Sequence, residues 1–433
     1  MNNPGIIDFA FQNWNTEYEW WCPNTVPADF VYDGVKHAPF THGTQWFALG
    51  KNQYHTNKIS ALNAKVIKND FLYNHENVKY TRLSSLKGKK YIFPVLIKDV
   101  DYFKDNRNYG FDFVDPVVFE DVRANRARIV LLFPLEGTSG DASFKDDFEI
   151  LNSWCVKYKL TKDQVYYVHG NFKAPELAKD FNFTAIPINH FICWVPGIRQ
   201  HTTAFNPVDG QDLFLSYNRR PRPHRTLLMC ELIRSKILDR GLVSYYGDNV
   251  KDSVRLVKLY NRPGLEPEAT ILDSMIPKEI DMDLGANNPA SNIVEEHYNR
   301  TFCSVVPETL DDNNVIFFSE KTWKTISVGH PFMLLSSPGM LRELRKMGYY
   351  TYGAWWDEGY DVTKNRDDRV RHIVNELKRL SAFSREQLIN MRVSMQPVIE
   401  HNQQLFNQQW TANCFEGENR QLYCIVENIW NSF

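Results

Sequence analysis

Residues 317–335 read Phe-Phe-Ser-Glu-Lys-Thr-Trp-Lys-Thr-Ile-Ser-Val-Gly-His-Pro-Phe-Met-Leu-Leu, and they set a carboxylate beside an ammonium at Glu320 and Lys321. An amphipathic helical pattern follows. Gly329 ends it, and Pro331 opens a short apolar strand. A lysine together with the free backbone N–H groups of a helix entrance can hold a phosphate. The neighbouring carboxylate can take a pair of ribose hydroxyls. The chemistry this spacing suits is recognition of a nucleotide-linked substrate.

A second group of cations lies in Asn218-Arg219-Arg220-Pro221-Arg222-Pro223-His224-Arg225. The prolines stiffen the segment and delay the next helix. Arg225 then falls in a first helical turn, where a cation opposes the helix dipole unless an anion is bound there. Guanidinium groups at a helix start form a diphosphate receptor, with Arg219 and Arg220 adding to it. The competing reading is a solvated basic loop or a contact to nucleic-acid phosphates. Glu308, in Pro307-Glu308-Thr309, follows an apolar run and can grip a sugar while Glu320 grips a ribose. The alternative for this pair is a helix cap and a surface salt bridge.

Other motifs are weaker. Asp281-Met282-Asp283 matches the Asp-x-Asp of metal-dependent transferases, but it lies in a polar insertion and reads better as solvated acids. Zinc signatures, a Walker A loop, GxSxG and GxGxxG are absent from the sequence. The expectation is therefore no metal and no bound cofactor.

The elements that must position these groups alternate along the chain. Apolar runs at 91–97, 128–133, 165–168 and 186–194 are separated by helix-length segments such as 144–158. Such spacing predicts parallel α/β winding. After a break near 200–212, a second winding follows, with strands at 213–217, 242–246, 301–306 and 331–335 and a helix over 226–239. Further helices are predicted over 338–347, 366–380 and 384–399. Residues 1–80, with Trp14, Trp20, Trp21 and Trp46, read as an irregular aromatic layer of the core, since aromatics bury the most area, with a sugar- or base-stacking surface as the alternative.

At 433 residues the chain suits two domains of roughly 200 residues each. The expected division is 1–205 for an acceptor-binding domain and 206–400 for a nucleotide-binding domain, with 401–433 packing back on the first. A 43% hydrophobic and 14% aromatic composition describes a folded protein. The net charge of -2 supplies no global attraction to nucleic acid or membranes. Seven scattered cysteines without a CxxC pair point to a reducing cytoplasm. No window reaches the ~18 apolar residues of a spanning helix, so no membrane partner is expected.

With these residues in place, Glu308-Thr309, Phe318-Ser319-Glu320-Lys321 and Gly329-His330-Pro331-Phe332 resemble a pattern of fucosyltransferase-like glycosyltransferases of the GT-B fold. In that pattern an acidic residue precedes an aromatic-Thr-Glu-Lys unit, a helix, a glycine and a proline before a strand. The 218–225 loop and its helix resemble the same family's segment. The resemblance covers about residues 213–360. It departs at Ser319, where Thr is usual, and at Thr309, where Asn is commoner, which leaves the donor's base and sugar open. Trp355-Trp356-Asp357-Glu358-Gly359-Tyr360-Asp361 resembles virus-encoded relatives more than cellular enzymes.

The resemblance implies two Rossmann-like domains facing across a cleft. It implies Glu320 on the nucleotide ribose, Lys321 and Arg225 on the donor diphosphate, and Glu308 toward the donor sugar. Glu136 leaves an apolar strand of the first winding, where a carboxylate can deprotonate an acceptor hydroxyl in an inverting displacement. Asp141 is the second candidate base, and it also fits a cap for helix 144–158. His169 is a candidate acceptor contact, with a satisfied turn histidine as the alternative. Arg123 and Arg126, with Lys87, Lys89, Lys90 and Arg128, can bind DNA phosphates or be ordinary solvated cations. The expected activity is transfer from a nucleotide sugar to an acceptor hydroxyl, on either a modified base of phage-type DNA or a glycan. A non-catalytic nucleotide-sugar or nucleic-acid binding protein is the alternative.

Overall fold

The run 127–133, Ala-Arg-Ile-Val-Leu-Leu-Phe, carries apolar side chains on both of its alternating faces, as a strand covered on both sides requires. In the computed structural model it lies inside a six-stranded parallel sheet. The structure describes residues 6–11, 30–32, 35–37, 77–96, 110–112, 114–133, 144–189, 191–192, 195, 205, 213–218, 221–245, 253–259, 261–262, 264–276, 293–414 and 420–433. The chain divides into two compact units, Met1–His190 with Ala412–Phe433, and Phe191–Thr411.

The first unit contains β1 (Ile7–Phe11), β2 (Phe30–Tyr32), β3 (Val35–His37), β4 (Val78–Arg82), β5 (Tyr91–Leu96), α1 (Pro116–Arg123), β6 (Ala127–Phe133), α2 (Phe144–Lys157), β7 (Val165–His169), α3 (Ala174–Leu177) and β8 (Thr184–Pro187). Strands β2 and β3 pair antiparallel with each other. The main sheet has the order β4-β1-β5-β6-β7-β8, with every pairing parallel. Period-two alternation fills its two faces separately. Tyr91, Phe93, Ile129, Leu131 and Tyr167 pack with Phe148, Leu151 and Trp154 of α2. Ile92, Val130, Leu132 and Val168 pack with Leu422, Val426 and Ile429, which come from the last helix of the chain.

Two features of this unit differ from the sequence expectation. The stretch read as an irregular aromatic layer supplies β1 and β4, which pair in register from Ile7 opposite Val78 to Phe11 opposite Arg82. Short segments this far apart in sequence carry little local signal, because their pairing partners decide them. The strand predicted at 186–194 occupies Thr184–Pro187. The four tryptophans of the first fifty residues lie outside the described residues.

The second unit contains β9 (Phe214–Asn218), α4 (Pro223–Arg234), β10 (Gly241–Tyr245), α5 (Ser253–Leu259), α6 (Glu266–Met275), α7 (Glu295–Asn299), β11 (Cys303–Pro307), α8 (Glu320–Ser327), β12 (Phe332–Leu335), α9 (Met340–Lys346), α10 (Arg366–Leu380), α11 (Arg385–Ser394) and most of α12 (Gln396–Cys414). Helix α13 (Arg420–Asn431) is the one that covers the first unit's sheet. The second sheet is parallel throughout, in the order β10-β9-β11-β12. Every residue of β10, β11 and β12 is buried. The single helix predicted over 384–399 divides into α11 and α12 beside Pro397, which has no N–H to give and is tolerated only in a first turn.

The strand order carries a functional consequence. The chain leaves β9 toward β10 on one side, and returns past β9 to place β11 on the other. Connections therefore diverge at the carboxyl ends of β9 and β11. In open parallel sheets that divergence forms a crevice where ligands bind.

Candidate functional site

At the carboxyl end of β11 the chain turns at Glu308 and comes back to start α8 at Glu320. Ser319 is the N-cap, extended at φ -86° and ψ 179°, and its side chain accepts from the Lys321 N–H. Glu308 is fully buried. One of its oxygens, Oε1, accepts from the Ser319 backbone N–H at 3.1 Å and the Thr322 hydroxyl at 2.5 Å. The other, Oε2, accepts from the Ser319 hydroxyl at 2.5 Å and the Thr309 N–H at 3.1 Å. A carboxylate with four donors at a helix start satisfies groups that would otherwise be orphaned, and it favours the helix dipole.

Lys321 reaches back over this turn. Its Nζ donates to Glu320 Oε1 at 2.8 Å, Ser319 Oγ at 3.2 Å and Thr309 Oγ1 at 3.3 Å. The ammonium and the Glu320 carboxylate are mostly covered, at 24% and 15% side-chain exposure. Burial alone would raise the Glu320 carboxyl, but Lys321 and Lys324 outweigh it and hold the group below its ordinary value. Glu320 is therefore ionised at neutral pH, and the pair is a partly exposed charge pair beside the sheet's carboxyl edge.

Beneath the turn lies a buried frame that sequence reasoning missed. The first turn of α4 supplies His224, whose Nε2 pairs with the Glu308 carbonyl at 2.8 Å. Arg225 Nη2 donates to the carbonyls of Pro307 and Glu308 at 3.1 and 3.0 Å. Asp311 Oδ1 faces His224 Nδ1 at 3.5 Å, and Arg366 of α10 grips both Asp311 oxygens through Nε and Nη2. Arg369, also buried, donates to the Asp311 carbonyl at 3.3 Å. Burial would raise the Asp311 carboxyl, yet His224 and Arg366 hold it well below the carboxylate range. The permanent guanidinium of Arg366 is the decisive partner, since burial keeps His224 below its ordinary value. The only sequence signal for this frame was a pair of acids after β11 and a histidine among the arginines.

Two sequence expectations change here. Arg225 is 3% exposed and donates to main-chain carbonyls, so its guanidinium braces β11 against α4 and is not displayed to a diphosphate. The cation that looked misplaced against the helix dipole is explained by carbonyl acceptors. Glu308 likewise turns its carboxylate into the α8 start, away from any sugar. Glu320 and Lys321 are brought together as the sequence suggested. Arg219 and Arg220 belong to the connection between β9 and Pro221 and lie outside the described residues, as do Glu136, Asp141, Asp281 and Asp283.

In the first unit, His169 ends β7 but is 1% exposed, with its ring edge-on to Phe148 and Tyr167. Its Nδ1 accepts from the Asn171 N–H at 2.8 Å, and burial lowers it to about 3. It is a neutral core ring and does not face an acceptor. Arg123 is exposed at the end of α1. Arg126 is held by Asp121, through Nε at 3.0 Å and Nη2 at 2.5 Å. Arg126 and Lys90 immediately precede β6 and β5, at the amino edge of the sheet and away from the carboxyl edge where ligands bind. Lys90 lies over the Trp430 and Phe433 rings at 4.7 and 4.4 Å, and Arg128 over Phe433 at 4.4 Å. These cations pack against the C-terminal aromatics. Among the described residues, no group of three or more His, Cys, Asp or Glu side chains could hold a metal ion. No described helix is long and apolar enough to cross a membrane.

No protein-family model matches the chain, and no curated protein does. Among solved structures, it is similar to the Glycosylation Associate Protein (Gap123) complex from Streptococcus agalactiae, at 9% identity and a TM-score of 0.32. That likeness covers 76% of this chain and 55% of the other, so the chain spans about half the length of this neighbour. At that score it carries no argument about function.

Proposed function

We propose that the chain is a nucleotide-sugar-dependent glycosyltransferase of GT-B type, with the donor diphosphate held at the carboxyl ends of β9 and β11. The observation that carries the reading is the Lys321–Glu320 pair, partly exposed beside that switch point. Lys321 meets the diphosphate, and Glu320 meets the ribose hydroxyls. Arg219 and Arg220, which follow β9 in sequence, supply further positive charge for the diphosphate. The residue pattern around Ser319-Glu320-Lys321 and its resemblance to fucosyltransferase-like enzymes point the same way.

In the reaction, an acceptor hydroxyl oxygen bonds to the anomeric carbon as the bond from that carbon to the diphosphate breaks. Glu136, with Asp141 as the alternative, takes the hydroxyl proton. Lys321 stabilises the negative charge that grows on the departing diphosphate. The acceptor is a hydroxyl of a modified DNA base or of a glycan. Steep salt dependence of duplex binding separates the two.

Calorimetry with UDP, GDP, dTDP and CMP, and with their sugars, tests the donor site. Lys321→Ala should weaken the best ligand by about ten- to a hundredfold, the range of one charge-assisted hydrogen-bonding group. Equal binding by the variant and the parent rejects the assignment. Glu136→Gln should bind the donor normally and lose turnover.

A further inference from the structure

Two of the three acceptors around the Lys321 ammonium are arranged by a side chain that touches no solvent, that of Glu308. The Ser319 hydroxyl donates to Glu308 Oε2 at 2.5 Å. Its lone pairs are left for Lys321, which reaches Ser319 Oγ through Nζ at 3.2 Å and through its backbone N–H at 3.3 Å. The same Oε2 takes the Thr309 N–H at 3.1 Å, fixing the backbone from which Thr309 Oγ1 meets Nζ at 3.3 Å. Two of the three ammonium hydrogens thus fall on groups that Glu308 orients. Glu308 is itself clamped, since His224 and Arg225 hold its carbonyl at 2.8 and 3.0 Å.

We infer that Glu308 is the positioning residue for the Lys321 ammonium, acting through the Ser319 hydroxyl and the Thr309 backbone. The inference rests on the reading of Lys321 as the diphosphate ligand. It also gives Glu308 a different task from the sugar-facing one that the family resemblance implied. Glu308→Gln puts an amide donor where a hydroxyl now donates. If that donor meets Ser319, the Ser319 hydroxyl turns and aims its hydrogen at a cation, so the ammonium shifts away.

The test is a double-mutant cycle on affinity for whichever of UDP or GDP binds the parent more tightly, with weak binding followed by ligand-observed NMR. Glu308→Gln should weaken binding about tenfold when Lys321 is present and less than about twofold in the Lys321→Ala background. A purely structural role would cost the same in both backgrounds, and that equality, or no loss in the parent background, overturns the inference. Ser319→Ala removes the relay while leaving the Glu308 side chain intact. It should show the same coupling to Lys321, and it completes the cycle if Glu308→Gln does not fold. Failure of the parent to bind any nucleoside diphosphate overturns the donor-site reading, and this inference with it. Normal binding with no coupling overturns this inference alone.

Discussion

One of the three oxygens around the Lys321 ammonium comes from its own neighbour in the chain, Glu320 at 2.8 Å. An incoming phosphate must share or displace that carboxylate, and a displaced, mostly covered carboxylate needs hydroxyl donors in exchange. A ligand carrying both a diphosphate and a ribose meets both needs, whereas inorganic pyrophosphate meets one. Glu320→Ala should therefore tighten pyrophosphate binding by about three- to tenfold, while the preference for a ribonucleotide over its 2′-deoxy form falls toward unity. Calorimetry with pyrophosphate, GDP and dGDP measures both effects, and weaker pyrophosphate binding in the variant would contradict the exchange. At this scale the sequence was legible where a contact follows from adjacency, as in the Glu320–Lys321 pair. It misled where the outcome depends on direction. Arg225 and Glu308 have the right types for a ligand site, but their side chains point into the protein, and no spacing rule reports which way a buried polar group faces.

Helix α8 holds the pair in place through its opposite end and its buried face. Trp323 is fully buried, 5.6 Å from both the Phe318 and Tyr349 ring centroids. Gly329 closes the helix at φ 68°, with its N–H on the Ile326 carbonyl and the His330 N–H on the Thr325 carbonyl. A Cβ there would lie 2.9 Å from Gln403 Cδ and from Ile399 Cγ2. Gly329→Ala combines left-handed strain with overpacking and should cost about 2–4 kcal/mol. Urea denaturation reads this as a lower midpoint, and an unchanged midpoint would refute the packing argument. Most elements were visible from apolar periodicity and from helix breakers such as Gly329. Strands β1 and β4 were not, because the parallel pairing that makes them strands joins segments on either side of a long intervening stretch.

At the scale of the whole molecule, three histidines that are buried among the described residues link stability to pH. His169 in the first unit is lowered to about 3 by burial. In the second, His224 is lowered by burial against the opposing pull of Asp311, and His330 well lowered by burial and by Arg392. In the unfolded chain each histidine takes a proton near pH 6.5. The folded chain does not, so below about 6.5 the unfolded state binds more protons and stability falls as pH drops. The loss approaches about 1.4 kcal/mol per pH unit for each histidine. Asp311 and Glu320 act in the same direction in a lower window, since their depressed values stabilise the fold above about pH 4 and cease to do so as pH falls through the folded values. Denaturation midpoints should therefore drop between pH 7.5 and 5.5 because of the histidines alone. A flat profile over that range would contradict their neutral burial.

The amino-acid sequence determined the α/β winding, most strand and helix positions, and the carboxylate–ammonium pair at the start of α8. These follow from local periodicity, breakers and adjacency, which operate over a few residues. Only the tertiary structure decided which polar groups were available at the carboxyl edge. Whether Glu308 and Arg225 face a ligand or the backbone depends on β11, α4, α8 and α10 converging on one turn. Burial then selects for each polar group the nearest partner that satisfies it. That convergence spends Glu308, Arg225 and Asp311 on the frame and leaves Glu320 and Lys321 in the partly exposed position where a ligand can reach them.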